Sequence, residues 1–286
     1  GRPFTVSERN AAVANADNFY TGESTTAWTT QVGGMNADGV LAGSAAIGTS
    51  RTFGWTWNGA AITKFEPPAG FSIDSVVGPS NDGRIAANLR SETAQMKAVI
   101  YGGGAPIDVP ALVPVTEGPR PFTMVQAMSG NGTIAGITRR ELLGWEHIFT
   151  FSSGAMRDLG RLIDCNCSLV AVNDNGYVLG APRKMGPYGM LFNGTDRIQI
   201  GAPRSGNYNV NVFDSNDRND VVGSYWLPDD GSTSRPLVFL GGQSYDLNDY
   251  TQASRLGWTL NTASRINNNR QILGEGTYQG QARWYR

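Results

Sequence analysis

A single histidine, His147, stands in 286 residues, which leaves little room for imidazole chemistry. Triads, three-histidine zinc sites and histidine-dependent lyases all need that ring at a fixed place, and inside an apolar strand it reads as a satisfied core residue. Cysteine is almost as scarce. Cys165 and Cys167 share IDCNCSL, and no second pair exists to complete the four ligands of a closed zinc site. They read as a local disulfide of an oxidising compartment or as two loop thiols. No metal site and no cofactor is expected. Charge is sparse as well, at 16%, with 23 basic against 24 acidic residues and a net charge of −1. Without a basic run there is no electrostatic hold on a phosphate backbone, so nucleic acid is not an expected partner. No apolar run reaches the roughly 18 to 20 residues of a membrane-spanning helix. Helical periodicity, a serine nucleophile elbow and a phosphate-cradling glycine loop with its lysine are missing too. The chain opens GRPFTV without Met, which fits a processed or trimmed chain.

What is present is glycine, 37 of them, much of it in a repeating turn. Six stretches superpose: MNADGVLAG (35–43), PSNDGRIAA (79–87), MSGNGTIAG (128–136), VNDNGYVLG (172–180), SNDRNDVVG (215–223) and INNNRQILG (266–274). Asn or Ser opens each turn, at Asn36, Ser80, Ser129, Asn173, Asn216 and Asn267. The fourth position is Gly39, Gly83, Gly132, Gly176, Asn219 or Arg270. An Asn or Ser side chain caps such a turn, and the fourth residue is expected in the left-handed region, where Asn is the next best choice after Gly and Arg is a poor one. An apolar residue follows two places on, then a small one, which marks the start of a strand.

Successive fourth positions are 44, 49, 44, 43 and 51 residues apart. A period of 40 to 50 residues holding several short strands is the signature of propeller blades. Each copy carries a second strand with alternating apolar residues, such as Trp55/Trp57, Phe149/Phe151 and Val238/Leu240, read as having one buried face. A tight turn and a fourth strand follow, as in AMRDLG (155–160) and SYDLN (244–248). The expected fold is all-β: one six-bladed propeller over residues 1–286, each blade a four-stranded antiparallel meander. Its last blade would be completed by an N-terminal strand around RPFTV (2–6).

The ordered run of Asn-Asp-Asn-Gly, V-x-G, a His-x-Phe strand and Asp-Leu-Gly resembles the bacterial extracellular HAF-type repeat family. Residues 128–160 and 172–180 match it best, through Ser129, Gly132, Gly136, His147, Phe149, Asp158, Leu159 and Gly160. Only His147 keeps the family's histidine; Phe53, Lys97, Tyr188, Pro236 and Gln281 replace it elsewhere. The resemblance implies an exported protein, extracellular or cell-surface, with the periplasm possible, and implies no particular reaction.

Function is expected in the long connections, which a meander gathers at the end opposite its tight turns. They hold aromatics and arginines of the kind that anchor interfaces or stack on sugar rings. Trp28, Trp145, Arg183, Tyr188, Arg204, Trp226, Arg235, Tyr250, Trp258 and Tyr278 are the candidate ligand-binding residues, for a glycan or a protein. Large aromatics at loop bases also commonly fill the gap between blades. The competing reading is a glycan-active hydrolase or lyase with carboxylates at the axis, for which Asp74, Asp164, Asp249 and Glu275 are candidates beside Glu117 and Glu141. A third is a structural component of a surface assembly. The acidic run DSNDRND (214–220) lacks the order and the bidentate Glu of a calcium loop and reads as turn chemistry. Oligomeric state is left open by the sequence.

Overall fold

The computed structural model describes residues 28–47, 51–112, 122–139, 146–161, 167–182, 186–226, 233–250 and 254–286. Two compact units divide the chain, Gly1–Arg157 and Asp158–Arg286. In the first, β1 (Trp28–Met35), β2 (Leu41–Ile47), β3 (Arg51–Trp57) and β4 (Ile62–Phe65) form one sheet. A second sheet comprises β5 (Phe71–Val77), β6 (Ile85–Ser91), β7 (Met96–Tyr101) and β8 (Ile107–Val109). The third comprises β9 (Thr123–Met128), β10 (Ile134–Arg139), β11 (Glu146–Ser152) and β12 (Ala155–Arg161), whose last strand runs across the unit boundary.

The second unit continues with β13 (Cys167–Val172), β14 (Val178–Pro182), β15 (Tyr188–Phe192) and β16 (Arg197–Gly201) in a fourth sheet. The fifth sheet holds β17 (Asn209–Ser215), β18 (Val221–Trp226), β19 (Arg235–Leu240) and β20 (Gln243–Asp246). β21 (Trp258–Ile266), β22 (Ile272–Tyr278) and β23 (Gln281–Tyr285) make a sixth sheet of three strands. Every sheet is an antiparallel meander in chain order, as the repeat predicts. The strand expected from residues 2–6 lies outside the described residues.

Within each unit the sheets pack face to face. Ile85, Ala87 and Leu89 of β6 join Ala42, Ile73 and Val99 in one core, whereas Ala86 points the other way and joins Ala98, Ile100, Val125 and Phe149 in the next. Val210, Val212, Tyr225 and Leu237 pack with Leu179 and Leu191, and Val222 and Val238 pack with Ala263. The middle strands β6, β7, β18 and β19 are therefore buried on both faces, which corrects the sequence reading of one buried face, whereas Leu273 and Glu275 leave one face of β22 exposed. In β11 the residues between Phe149 and Phe151, and those before them, are buried as well, His147 included. A strand held between two sheets reads as a continuous apolar and small run, and IAANL and VVGSY have that composition.

Five of the six first strands carry a β-bulge at the same register, opposite the step into the small residue of the second strand. It falls between Val32/Gly34, across from Gly43, and between Leu169/Ala171, Val212/Asp214 and Ala263/Arg265 across from Gly180, Gly223 and Gly274. In β9 it lies across from Gly136. A Cβ built on Gly136 would lie 2.1 Å from the Met124 carbonyl oxygen, and one on Gly223 2.1 Å from that of Asn211. The glycine of the V-x-G signature is thus required by the close approach of the bulged strand. In the second sheet this position is Ala87, and there the bulge shifts two residues along, to between Ile73/Ser75 opposite Leu89 and Asn88.

The sequence reading expects no helix, but a single helical turn, α1 (Leu247–Tyr250), and a 3-10 turn over Ser254–Leu256 form in the connection between β20 and β21. Asp246 starts α1 by accepting the Asn248 N–H on Oδ1 at 2.9 Å.

Candidate functional site

Each sheet has two unlike ends. At one end the repeated turn closes as its residues predict. In the fourth sheet, Asn173 Oδ1 accepts the N–H groups of Asn175 at 3.2 Å and Tyr177 at 3.0 Å, and Gly176 sits at φ 77°. Asn219 and Arg270 adopt the same left-handed conformation, at φ 62° and 59°. The turns also bond to one another, a function the sequence reading does not assign them. The Nδ2 of Asn36 donates to the Ser80 carbonyl at 3.0 Å. In the second unit Asn173 Nδ2 donates to the Asn216 carbonyl at 3.0 Å, and Asn216 Nδ2 to that of Asn267 at 3.2 Å. Second turn positions join in: the N–H of Ala37 donates to Asn81 Oδ1, that of Asp174 to Asp217 Oδ1, and that of Asp217 to Asn268 Oδ1. Where Ser80 offers no amide, the Asn81 N–H reaches the Gly130 carbonyl directly at 2.8 Å.

The three aspartates of DSNDRND have separate structural partners. Asp214 accepts the N–H groups of Ile266 and Ser215, Asp217 accepts from Asp174 and Asn268, and Asp220 accepts from Asn216 and Arg270. Burial raises the Asp214 carboxyl above the ordinary range, against the pull of those backbone donors.

At the opposite end of the fifth sheet the chemistry differs. Tyr225, near the end of β18, and Arg235, at the start of β19, are cross-strand partners. Asp246 lies opposite Leu237, at an inward position of β20, and its carboxylate is fully buried. Its Oδ2 accepts the Tyr225 hydroxyl at 2.7 Å and Arg235 Nε at 2.5 Å, while its Oδ1 is held by the α1 backbone. Arg204, from the connection after β16, donates to both oxygens of Asp249 in α1, at 2.8 and 3.0 Å, and comes within 3.6 Å of Asp246. Arg235 approaches Asp249 to 3.6 Å with its other arm. Two guanidiniums and two carboxylates thus form one network on a buried base. Its upper members stay accessible: the side chains of Arg204, Arg235 and Asp249 are 43%, 33% and 48% exposed.

The electrostatics follow the geometry. Burial, then the hydrogen bond to Asp246, pushes the Tyr225 phenol up to about 12. Burial opposes the charge on Arg235, but the Asp246 and Tyr225 oxygens outweigh it and hold that guanidinium above its ordinary range; the bond to Asp249 does the same for Arg204. The Tyr208 ring meets Tyr225 edge-on with centroids 5.3 Å apart, and Trp226, next along β18, is half-buried.

Of the residues named from sequence, the fold brings Arg204, Arg235 and Asp249 together. Trp258 and Tyr278 also meet, as cross-strand partners in the sixth sheet with rings 5.1 Å apart, and serve that sheet's own packing. Tyr188 is exposed at the start of β15. Trp28 opens β1 and Tyr250 closes α1, with side chains outside the described set, and Trp145, Arg183, Asp164, Glu117, Glu141 and Cys165 lie outside the described residues. Asp74 is the bulged residue of β5 and pairs with Arg90 at 2.9 Å. Glu275 is exposed in the middle of β22, across from Trp284, away from the strand ends. Sequence reasoning missed Tyr225 and Asp246. The signal was the Asp-Leu pair of the repeat: Asp158 caps Gly160 at 2.8 Å as Asp246 caps Asn248, so this aspartate reads as a cap wherever it occurs.

No protein-family model matches the chain and no curated protein matches it. Among solved structures it is similar to a putative TolB from Agrobacterium tumefaciens, at 13% identity and TM-score 0.44 over 78% of this chain and 81% of that one. The β-propeller domain of the Trilobed protease from Pyrococcus furiosus is similar at 9% identity and TM-score 0.38, covering 89% and 97%. AofleA from Arthrobotrys oligospora is similar at 10% identity and TM-score 0.41, covering 91% and 74%.

Proposed function

We propose that the chain is a six-bladed β-propeller of HAF-type repeats from an exported protein, closed by residues 2–6, which binds an extracellular or cell-surface glycan at the loop end of the fifth sheet. The observation that carries the binding reading is the Arg204–Asp249–Arg235 network held over buried Tyr225 and Asp246. Exposed side chains that both donate and accept, fixed by buried partners, are organised before a ligand arrives, which lowers the ordering cost of binding. Sugars present hydroxyls that need both kinds of partner and C–H faces that pack on aromatic rings, and the Tyr208 ring stands edge-on to Tyr225 with centroids 5.3 Å apart. A hydrolase would need two positioned carboxylates within reach of one bond. In this network Asp246 is buried beneath Arg235 and only Asp249 is open to a ligand, so the arrangement favours binding over cleavage.

The test is a glycan array followed by calorimetry on the full chain. We expect binding that Arg204→Ala and Asp249→Ala each weaken at least about tenfold, the loss of one charge-assisted hydrogen bond. Silence across the array, or binding indifferent to both substitutions, would remove the proposal.

A further inference from the structure

We infer that the ligand of this site is an uncharged sugar presenting neighbouring hydroxyls, and not an acidic or sulfated glycan; the inference rests on the glycan-binding reading above. The network is neutral as built, because Arg204 and Arg235 are matched by Asp246 and Asp249. An anionic ligand that takes the remaining N–H groups of Arg204 is brought up against Asp249, whose two oxygens both accept from Arg204 Nη2, at 2.8 and 3.0 Å. That carboxylate is 48% exposed and lies beside the incoming anion, so the new attraction is offset by like-charge repulsion.

A hydroxyl pair meets no such repulsion. An ionised carboxylate has about four acceptor directions and a guanidinium five N–H donors, and the contacts described here leave both partly unused. One hydroxyl donates to Asp249 while its neighbour accepts from Arg204 or Arg235, and the Arg204–Asp249 pair stays intact. The base keeps these groups in place: Asp246 is fixed by Tyr225 at 2.7 Å and by the Asn248 N–H at 2.9 Å. The whole chain adds no field to reverse the preference, since its net charge is −1.

The experiment measures binding of the full chain to neutral polymers, a galactan, a mannan and a glucan, and to polygalacturonate and heparin, at low and physiological salt. The expected result is binding to a neutral polymer, nearly independent of salt, and weakened at least about tenfold by Asp249→Asn. Arg204→Lys, which keeps the charge but loses the planar array of N–H donors beyond the one facing Asp249, should weaken it as well. Should Asp249→Asn fold poorly, as judged by its melting curve, the salt dependence and polymer preference of the unmodified chain decide alone. Tighter binding to either acidic polymer, falling with salt and rising in Asp249→Asn, overturns this inference while leaving the glycan-binding reading standing. Absence of binding to every polymer overturns both.

Discussion

Arg270 is the least suitable residue for a left-handed turn position by conformational preference alone, yet it occupies one at φ 59°. Its side chain explains this: Nε donates to Asp220 at 2.8 Å, and that carboxylate is 1% exposed. Asn219, the other departure from glycine, accepts Asn173 Nδ2 at 2.7 Å. The strain of a non-glycine residue here, about 1 kcal/mol, is smaller than the cost of leaving a buried carboxylate without its cation. Arg270→Gly should therefore destabilise the fold, while the same change in an Asp220→Asn background should be neutral or stabilising. A double-mutant cycle by urea denaturation checks this, and additive effects would contradict it. Tyr225 supplies a second prediction at this scale. Its folded pKa of about 12 lies above the ordinary value near 10, so its contribution is whole below pH 10 and is lost as pH rises through 12. Stability should drop between those values by on the order of 2 kcal/mol more than in Tyr225→Phe, followed by tyrosinate absorbance and circular dichroism. Site legibility also divides by residue. Arg204, Arg235 and Asp249 could be named because they read as members of long connections, although Arg235 opens β19 and Asp249 lies in α1, whereas nothing local to Tyr225 or to an aspartate before Leu shows that the two meet beneath them.

Among the elements, the repeated turn and the strand after it were the most legible parts, since the Asn cap and the left-handed fourth position are local and need no tertiary information. The bulge was not legible. V-x-G shows a small residue, but that the carbonyl of a neighbouring strand needs the space depends on a register no single strand encodes. Gly136→Ala should cost about 1–3 kcal/mol, because the Met124 carbonyl at 2.1 Å must move, whereas Ala87→Gly should cost no more than about 1 kcal/mol of backbone entropy. Thermal melts of the two variants check this, and equal shifts would refute the steric account. The bonds between turns were hidden for a similar reason: the asparagine amide looks idle until the next sheet is beside it. Asn173→Ser keeps the cap and removes the donor to Asn216, and should destabilise by about 1 kcal/mol.

For the whole molecule, the repeat count anticipated six four-stranded sheets, and the described residues form six, five of four strands and one of three. The three-stranded sheet bears the last prediction. β23 has four exposed residues in five, and Trp284 is 61% exposed. If residues 2–6 complete that sheet, as proposed, hydrogen exchange should find the outer amides of β23 as slow as those of β22. Exchange at the rate of a free edge would refute closure by that segment.

The bonded turns also bear on how this scaffold can be altered. Amides at the turn end of each unit are committed to a neighbour, so an inserted peptide there would break contacts in two sheets at once. At the opposite end some described connections are tied to the next sheet as well, Gly186 to Val210, Ser234 to Asn261 and Arg204 to Asp249, whereas the connection before β7 is held by bonds between its own Ser91 and Gln95. Randomised loop libraries or grafted epitopes should accordingly be tolerated at the connection before β7 and rejected at residues 173–176 or 216–219.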